Sequence, residues 1–179
     1  KQLKKELPGV VRRTLKATRL PSVSLDLELT ESLLMQDVEV TAAIMHELHA
    51  LGVSFSMDDF GTGYSSLSYL KRFPIDFLKI DRSFVRDITS DPNDAAIVRA
   101  IMAMAHSLEI KVIAEGVESH AQLEFLRAQG CDVTQGYHCS EPLSAEEFTG
   151  LLRDWRRLNL GRCRARKKTR RKTAKTART

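Results

Sequence analysis

Five short runs of apolar, β-branched or aromatic residues punctuate this sequence: Leu25–Leu29, Val53–Met57, Phe77–Ile80, Val112–Ala114 and, more weakly, Val133–Tyr137. Each is too short for a helix and reads as a strand. Helical patterns lie between them. Val40, Ile44, Leu48 and Leu51 recur at helical spacing, and Gly52 supplies a left-handed stop. Ile97, Ile101, Met104 and Leu108 mark another amphipathic helix. Ser119 with Gln122 forms a capping box for a helix that stops at Gly130, and Ser144 with Glu147 opens a last helix running to about Leu158. Pro8–Ala17 reads as a further helix, and a shorter piece, Ser66–Arg72, stops before Pro74. Strands alternating with helices imply parallel strands joined by crossovers, hence an α/β fold. Two architectures meet that requirement, an open doubly wound sheet and part of a (β/α)8 barrel. No glycine-rich loop follows the first strand, which disfavours a dinucleotide-binding unit or a P-loop.

The chain of 179 residues is long enough to bury one core. No apolar run reaches the ~18 residues of a membrane span, and the charged start KQLKKELPGVVRR has no secretory character. Cys131, Cys139 and Cys163 are odd in number and follow no zinc spacing, as expected of incidental thiols in a reducing compartment. A cytoplasmic location is therefore expected, with membrane anchoring left to a longer parent. The formal charge of +5 is lopsided. Residues 161–179 carry ten Lys or Arg and no acid, leaving a net charge of −5 in residues 1–160. Residues 159–179 are expected to form a disordered basic tail after a domain spanning 1–158, because they offer almost no apolar surface to bury. Basic residues without interleaved aromatics offer no stacking platform, so a nucleic-acid contact through this tail is not expected.

Polar residues gather where the strands end. The ends carry, in order, Glu28 and Glu31; Asp58 and Asp59; Lys79 and Asp81; Glu115 and Glu118; and Gln135. Parallel strands deliver these ends to one rim, which in a barrel is where chemistry takes place. Taken singly, each has an ordinary alternative: an Asx turn for Asp58 and Asp59, a surface ion pair for Lys79 with Asp81, a helix first turn for Glu115 and Glu118. Together they crowd carboxylates that repel one another unless cations intervene. All-oxygen donors point to Mg²⁺ or Mn²⁺ rather than zinc, and adjacent carboxylates suit two ions about 4 Å apart, as in phosphoryl transfer.

The words at these ends match a known family. Glu28–Ser32 (ELTES), Asp58–Ser66 (DDFGTGYSS), Leu78–Asp81 (LKID), Ala114–Glu118 (AEGVE) and Gln135–Tyr137 (QGY) follow in that order. The chain, over about residues 1–152, closely resembles the EAL domain family of cyclic-di-GMP phosphodiesterases. The resemblance implies a modified (β/α)8 barrel and Mg²⁺- or Mn²⁺-dependent hydrolysis of cyclic-di-GMP to linear pGpG. It implies that Glu28, Asp58, Asp59 and Glu115 ligate metal, with Asp58 shared between two ions. Lys79 is expected to contact the attacking water, Glu115 to act as general base and Gln135 to orient groups around the metals. Glu31 is expected to anchor the loop 60–66, which in the family couples the site to a homodimer.

Two family motifs are absent, an early Glu-Ala-Leu and a following Asn-Leu-Ser, each of which supplies a metal ligand. The chain thus resembles strands four to eight of the barrel, truncated at its N-terminal side. It is expected to be inactive or nearly so alone, as part of a competent parent carrying sensory or diguanylate cyclase domains. The alternative is a non-catalytic cyclic-di-GMP receptor; such domains usually lose some of these carboxylates, and none is missing in this stretch.

Overall fold

The computed structural model describes residues 5–34, 37–61 and 70–153. The chain divides into two units, Lys1–Glu141 and Pro142–Thr179. In the first, helix α1 (Leu7–Thr18) opens with Pro8 in its first turn, where a missing N–H costs nothing, and closes on Arg19 at a left-handed φ of 57°. Strand β1 (Asp26–Thr30) runs directly into α2 (Glu31–Leu34). Helix α3 (Val38–His49) starts at Asp37, whose carboxylate accepts the Val40 N–H, and leads into β2 (Ser54–Phe60). Strand β3 (Phe77–Ile80) is followed by α4 (Arg82–Arg86) and α5 (Pro92–Ser107). Strand β4 (Lys111–Ala114), α6 (His120–Ala128) and the two-residue β5 (Val133–Thr134) complete this unit. The second unit contributes α7 (Ala145–Arg153), opened by the expected reciprocal bonds between Ser144 and Glu147.

All five strands are parallel and lie in sequence order β1-β2-β3-β4-β5. The sheet therefore has the α/β crossover topology read from the sequence, with each strand beside the next. Strand alternation gives it two unlike faces. Leu29, Phe55, Met57, Leu78, Ile80, Val112 and Ala114 share one face and are buried in a single core with Ile44, Met45 and Leu48 of α3 and Val98 and Met102 of α5. The opposite face is polar at its centre, with Asp26, Glu28, Ser54, Ser56, Asp58 and Lys79 in alternate register.

Two expectations need correction. The last strand stops at Thr134 rather than Tyr137. The Gln135 N–H still donates to the Ala114 carbonyl, but Gly136 then turns the chain, Cys139 N–H closes on the Gly136 carbonyl, and Tyr137 is exposed. Helix α5 exists, but its buried face is Ala95, Val98, Ile101, Met102 and Ala105; Ile97 is exposed and Leu108 is the C-cap. The alanines let this helix approach the sheet, and a pattern read from large residues alone rotates the face away from them. The short helices α2 and α4 carry no apolar period and were not legible. Most of the piece 66–72 and all of 154–179, including the basic tail and the end of the last helix, lie outside the described residues.

Gly136 sits where no side chain fits: a Cβ there would lie 2.3 Å from both the backbone nitrogen and the carbonyl oxygen of Val117. Gly136→Ala is expected to destabilise the chain by about 3 kcal/mol, because the clash is with backbone and cannot relax by a rotamer change. A urea midpoint unchanged from the parent would contradict this.

Candidate active site

The polar face converges on one lysine. Lys79 is the third residue of β3, its side chain 5% exposed, and its ammonium reaches three carboxylates from three other segments. Nζ lies 3.0 Å from Glu28 Oε2 on β1, 3.1 Å from Asp58 Oδ1 on β2 and 2.6 Å from Glu115 Oε1 just beyond β4. Burial on its own disfavours the charged form of Lys79, but the hydrogen bonds it donates to Glu115, Glu28 and Asp58 outweigh it, and the pKa is raised above the ordinary lysine value. A nearly buried ammonium is tolerable only with such partners.

Local geometry explains how each acid gets there. In the β1–β2 register, Glu28 pairs with Ser56 and Thr30 with Asp58, which keeps both acids on the polar face. The ladder between β2 and β3 slips between Met57 and Phe60, and Asp59 takes a left-handed φ of 54° at that bulge. For a non-glycine residue that conformation costs about 1 kcal/mol or more. The extra residue lets Asp58 keep its place beside Lys79 while Phe60 returns to the core. Glu115 is fixed by its backbone N–H, which donates to the Ile80 carbonyl at 3.1 Å as β4 ends.

Of the residues singled out from sequence, Glu28, Asp58, Lys79 and Glu115 therefore meet. Asp59 is exposed at the bulge and is not a partner of the Lys79 ammonium. Gln135 lies exposed at the end of β5, its backbone tying Ala114 to Val117. Glu31 opens α2, while residues 62–66 of the loop 60–66 that it was expected to anchor fall outside the described set. Asp81 and Glu118 do other work. The Asp81 carboxylate caps α4 by accepting the Ser83 N–H, and hydrogen bonding by the Ser83 side chain, aided by that N–H, holds its pKa below the usual range; the Glu118 N–H donates to Gln122 in the capping box of α6. Sequence reasoning missed the Asp26–Ser56 pair on the same face, where Ser56 Oγ donates to Asp26 Oδ2 at 2.6 Å. The alternation Asp26, Glu28 and Ser54, Ser56, Asp58 was the available signal.

The donor set is all oxygen and suits a hard divalent cation. Among the described residues no group of three or more carboxylate, imidazole or thiol side chains stands ready to hold an ion. Three of the carboxylates turn instead onto the Lys79 ammonium, and would have to share it with, or release it for, a metal.

Lys79→Met leaves three acids facing each other without their cation and is expected to cost about 3 kcal/mol at neutral pH. The folded pKa of Lys79 is raised, so its contribution is fully present below the unfolded value near 10.4 and is lost as pH rises toward the folded one. Denaturation from pH 7 to 11 should therefore show the gap between parent and variant constant at first and shrinking at the alkaline end. A gap that widens there would contradict the ion-pair account.

A sequence model of the EAL domain family matches residues 2–142. Cyclic di-GMP phosphodiesterase NbdA of Pseudomonas aeruginosa is 49% identical over 146 residues, 82% of this chain and 19% of the relative. Bifunctional diguanylate cyclase/cyclic di-GMP phosphodiesterase MucR of the same organism is 49% identical over 138 residues, 77% of this chain and 20% of the relative. The chain thus spans about one fifth of the length of these relatives. Among solved structures, the PaMucR phosphodiesterase in complex with c-di-GMP superposes with a TM-score of 0.76 at 47% identity, covering 80% of this chain and 58% of that one. Klebsiella pneumoniae BlrP1, in a manganese and cyclic-di-GMP complex, gives 0.71 at 32% identity over 78% of this chain and 36% of that one. The five-stranded sheet is accordingly part of a TIM-type barrel, and the chain belongs to the EAL domain family.

Proposed function

We propose that this chain supplies the carboxylate and lysine side of a metal-dependent cyclic-di-GMP phosphodiesterase site, producing linear pGpG. The observation that carries the reading is the buried Lys79 ammonium shared by Glu28 of β1, Asp58 of β2 and Glu115 just beyond β4. A charged lysine and a set of acids drawn to one point suit a reaction on a phosphodiester dianion, where positive charge must be held close to general-base groups. Glu28, Asp58, Asp59 and Glu115 would hold two divalent ions, Mg²⁺ or Mn²⁺, which supply positive charge to the phosphate and acidify water. BlrP1 was solved with manganese or calcium beside cyclic-di-GMP, which favours a divalent ion here too. Within the chain itself, Glu115 is the base that takes the proton of the attacking water. Lys79, at 2.6 Å from Glu115 Oε1, holds that carboxylate in place and contacts the same water. Gln135 orients groups at the rim, and Glu31 anchors the loop 60–66.

The same reading extends to partners. MucR is named for both cyclase and phosphodiesterase activities, and the chain is proposed to act in the cytoplasm beside a cyclase or sensory domain, as a homodimer. Among the described residues no helix is long and apolar enough to cross a membrane.

The test joins this chain to the barrel strands that precede the matching segment in its relatives. With Mg²⁺ or Mn²⁺, the joined protein should convert cyclic-di-GMP to pGpG, followed by chromatography. Glu115→Gln should lower kcat by roughly 10²–10⁴-fold, the range for removing a general base. The 179-residue chain alone should release traces at most. Binding without turnover in the joined protein would replace the hydrolase with a receptor, and neither would sink the reading.

A further inference from the structure

One helix–strand segment of this chain resembles a later one. At an offset of 57 residues, Val40, Ala43-Ile44-Met45, His49, Leu51, Val53 and Phe55 correspond to Ile97, Ala100-Ile101-Met102, His106, Leu108, Ile110 and Val112. Each segment runs from a helix into a parallel strand, α3 into β2 and α5 into β4. The backbone repeats as well. Gly52 and Glu109 both leave their helix with positive φ, 89° and 61°, and Asp59 and Gly116 both follow the strand-end acid with positive φ, 54° and 68°. The match makes Asp58 the counterpart of Glu115. One residue is lost before the next strand, so at an offset of 56 Asp76 corresponds to Asp132 and Lys79 to Gln135.

Asp76 and Asp132 make the same bonds. Each immediately precedes a strand, β3 or β5. Asp76 Oδ2 accepts the N–H of Phe55, second residue of β2, at 2.9 Å, and Asp132 Oδ2 accepts the N–H of Val112, second residue of β4, at 2.9 Å. The helix-end histidine of each segment closes the cluster, His49 Nε2 at 3.4 Å from Asp76 Oδ1 and His106 Nε2 at 3.0 Å from Asp132 Oδ2. One carboxylate thus ties a helix end to the first turns of two neighbouring strands, twice over. A carboxylate accepting a backbone N–H is a charge-assisted bond, stronger than the ladder bond it stands beside. For Asp132, burial works against the charged form, but the Val112 N–H and His106 prevail and hold the carboxyl below the usual range.

Register fixed at one end of a parallel pair determines which residues arrive at the other end. The β2–β3 pair delivers Asp58 and Lys79, and the β4–β5 pair delivers Glu115 and Gln135. We infer that Asp76 with His49 and Asp132 with His106 are two copies of one register clamp, positioning residues that set the strand pairs carrying the candidate site from the opposite rim of the sheet. Their service to a hydrolytic site rests on the phosphodiesterase reading; the clamp itself does not.

Amide hydrogen exchange followed by NMR on the full chain tests this without reading turnover, so a chain that hydrolyses nothing leaves the result intact. The amides of Phe55 and Val112 should be protected. Asp132→Ala should speed exchange at Val112 by about tenfold or more and leave Phe55 unchanged, and Asp76→Ala should do the reverse. Asp132→Asn and Asp76→Asn keep an acceptor oxygen and should restore most of the protection, with a local acceleration of about threefold. Should the alanine variants not fold, these carry the test. The carboxyl carbon resonance of Glu115 should shift in the Asp132 variants and the Lys79 ammonium signal in the Asp76 variants. Equal acceleration at both amides in either variant, unprotected amides in the parent, or unmoved Glu115 and Lys79 signals would overturn the inference.

Discussion

A lysine ammonium almost removed from water is among the more expensive groups a small protein can bury, and the arrangement of this sheet follows from meeting that cost. Lys79 needs hydrogen-bonding acids on more than one side, and here they come from the adjacent β2, the end of the adjacent β4 and β1 one strand further away. Glu28, Asp58 and Glu115 must therefore arrive at one level, which demands a fixed register from β1 through β4. The bulge at Asp59 and the bond from Glu115 N–H to the Ile80 carbonyl are the local adjustments that make the levels agree. The acids in turn need the lysine, since their mutual repulsion has no other cation among the described contacts.

Much of this could be read in advance, for identifiable physical reasons. Strand–helix alternation is a strong signal because its two periods differ, and the run Phe77–Ile80 matched its strand residue for residue. Capping boxes were equally legible, since Ser119 with Gln122 is a local motif that needs no tertiary partner. What failed depended on neighbours. The buried face of α5 turns on Ala95 and Ala105, which are small because a sheet lies beneath them. Strand β5 ends early because Gly136 is pressed against Val117, a contact no local pattern encodes.

The site shows the same division. Family words located Glu28, Asp58, Lys79 and Glu115, and the structure brings those four together. They could not reveal that Lys79 is the point of convergence, or that Asp81 belongs to a helix cap, because both depend on which side chains share a face. Asp26 and Ser56 were hidden for another reason. They sit in strands read as apolar runs, and only strict alternation exposes the polar row.

The resemblance between the two segments has a consequence for how such a site can change. Two similar helix–strand frames present four tips to the same rim, and those tips carry different side chains: Asp58 and Lys79 from one frame, Glu115 and Gln135 from the other. The scaffold is thus modular, with the chemistry confined to places where its frames differ. Selection, or a protein engineer, can rewrite what the rim does by altering a handful of tip residues, while the helices, clamps and core beneath them stay as they are.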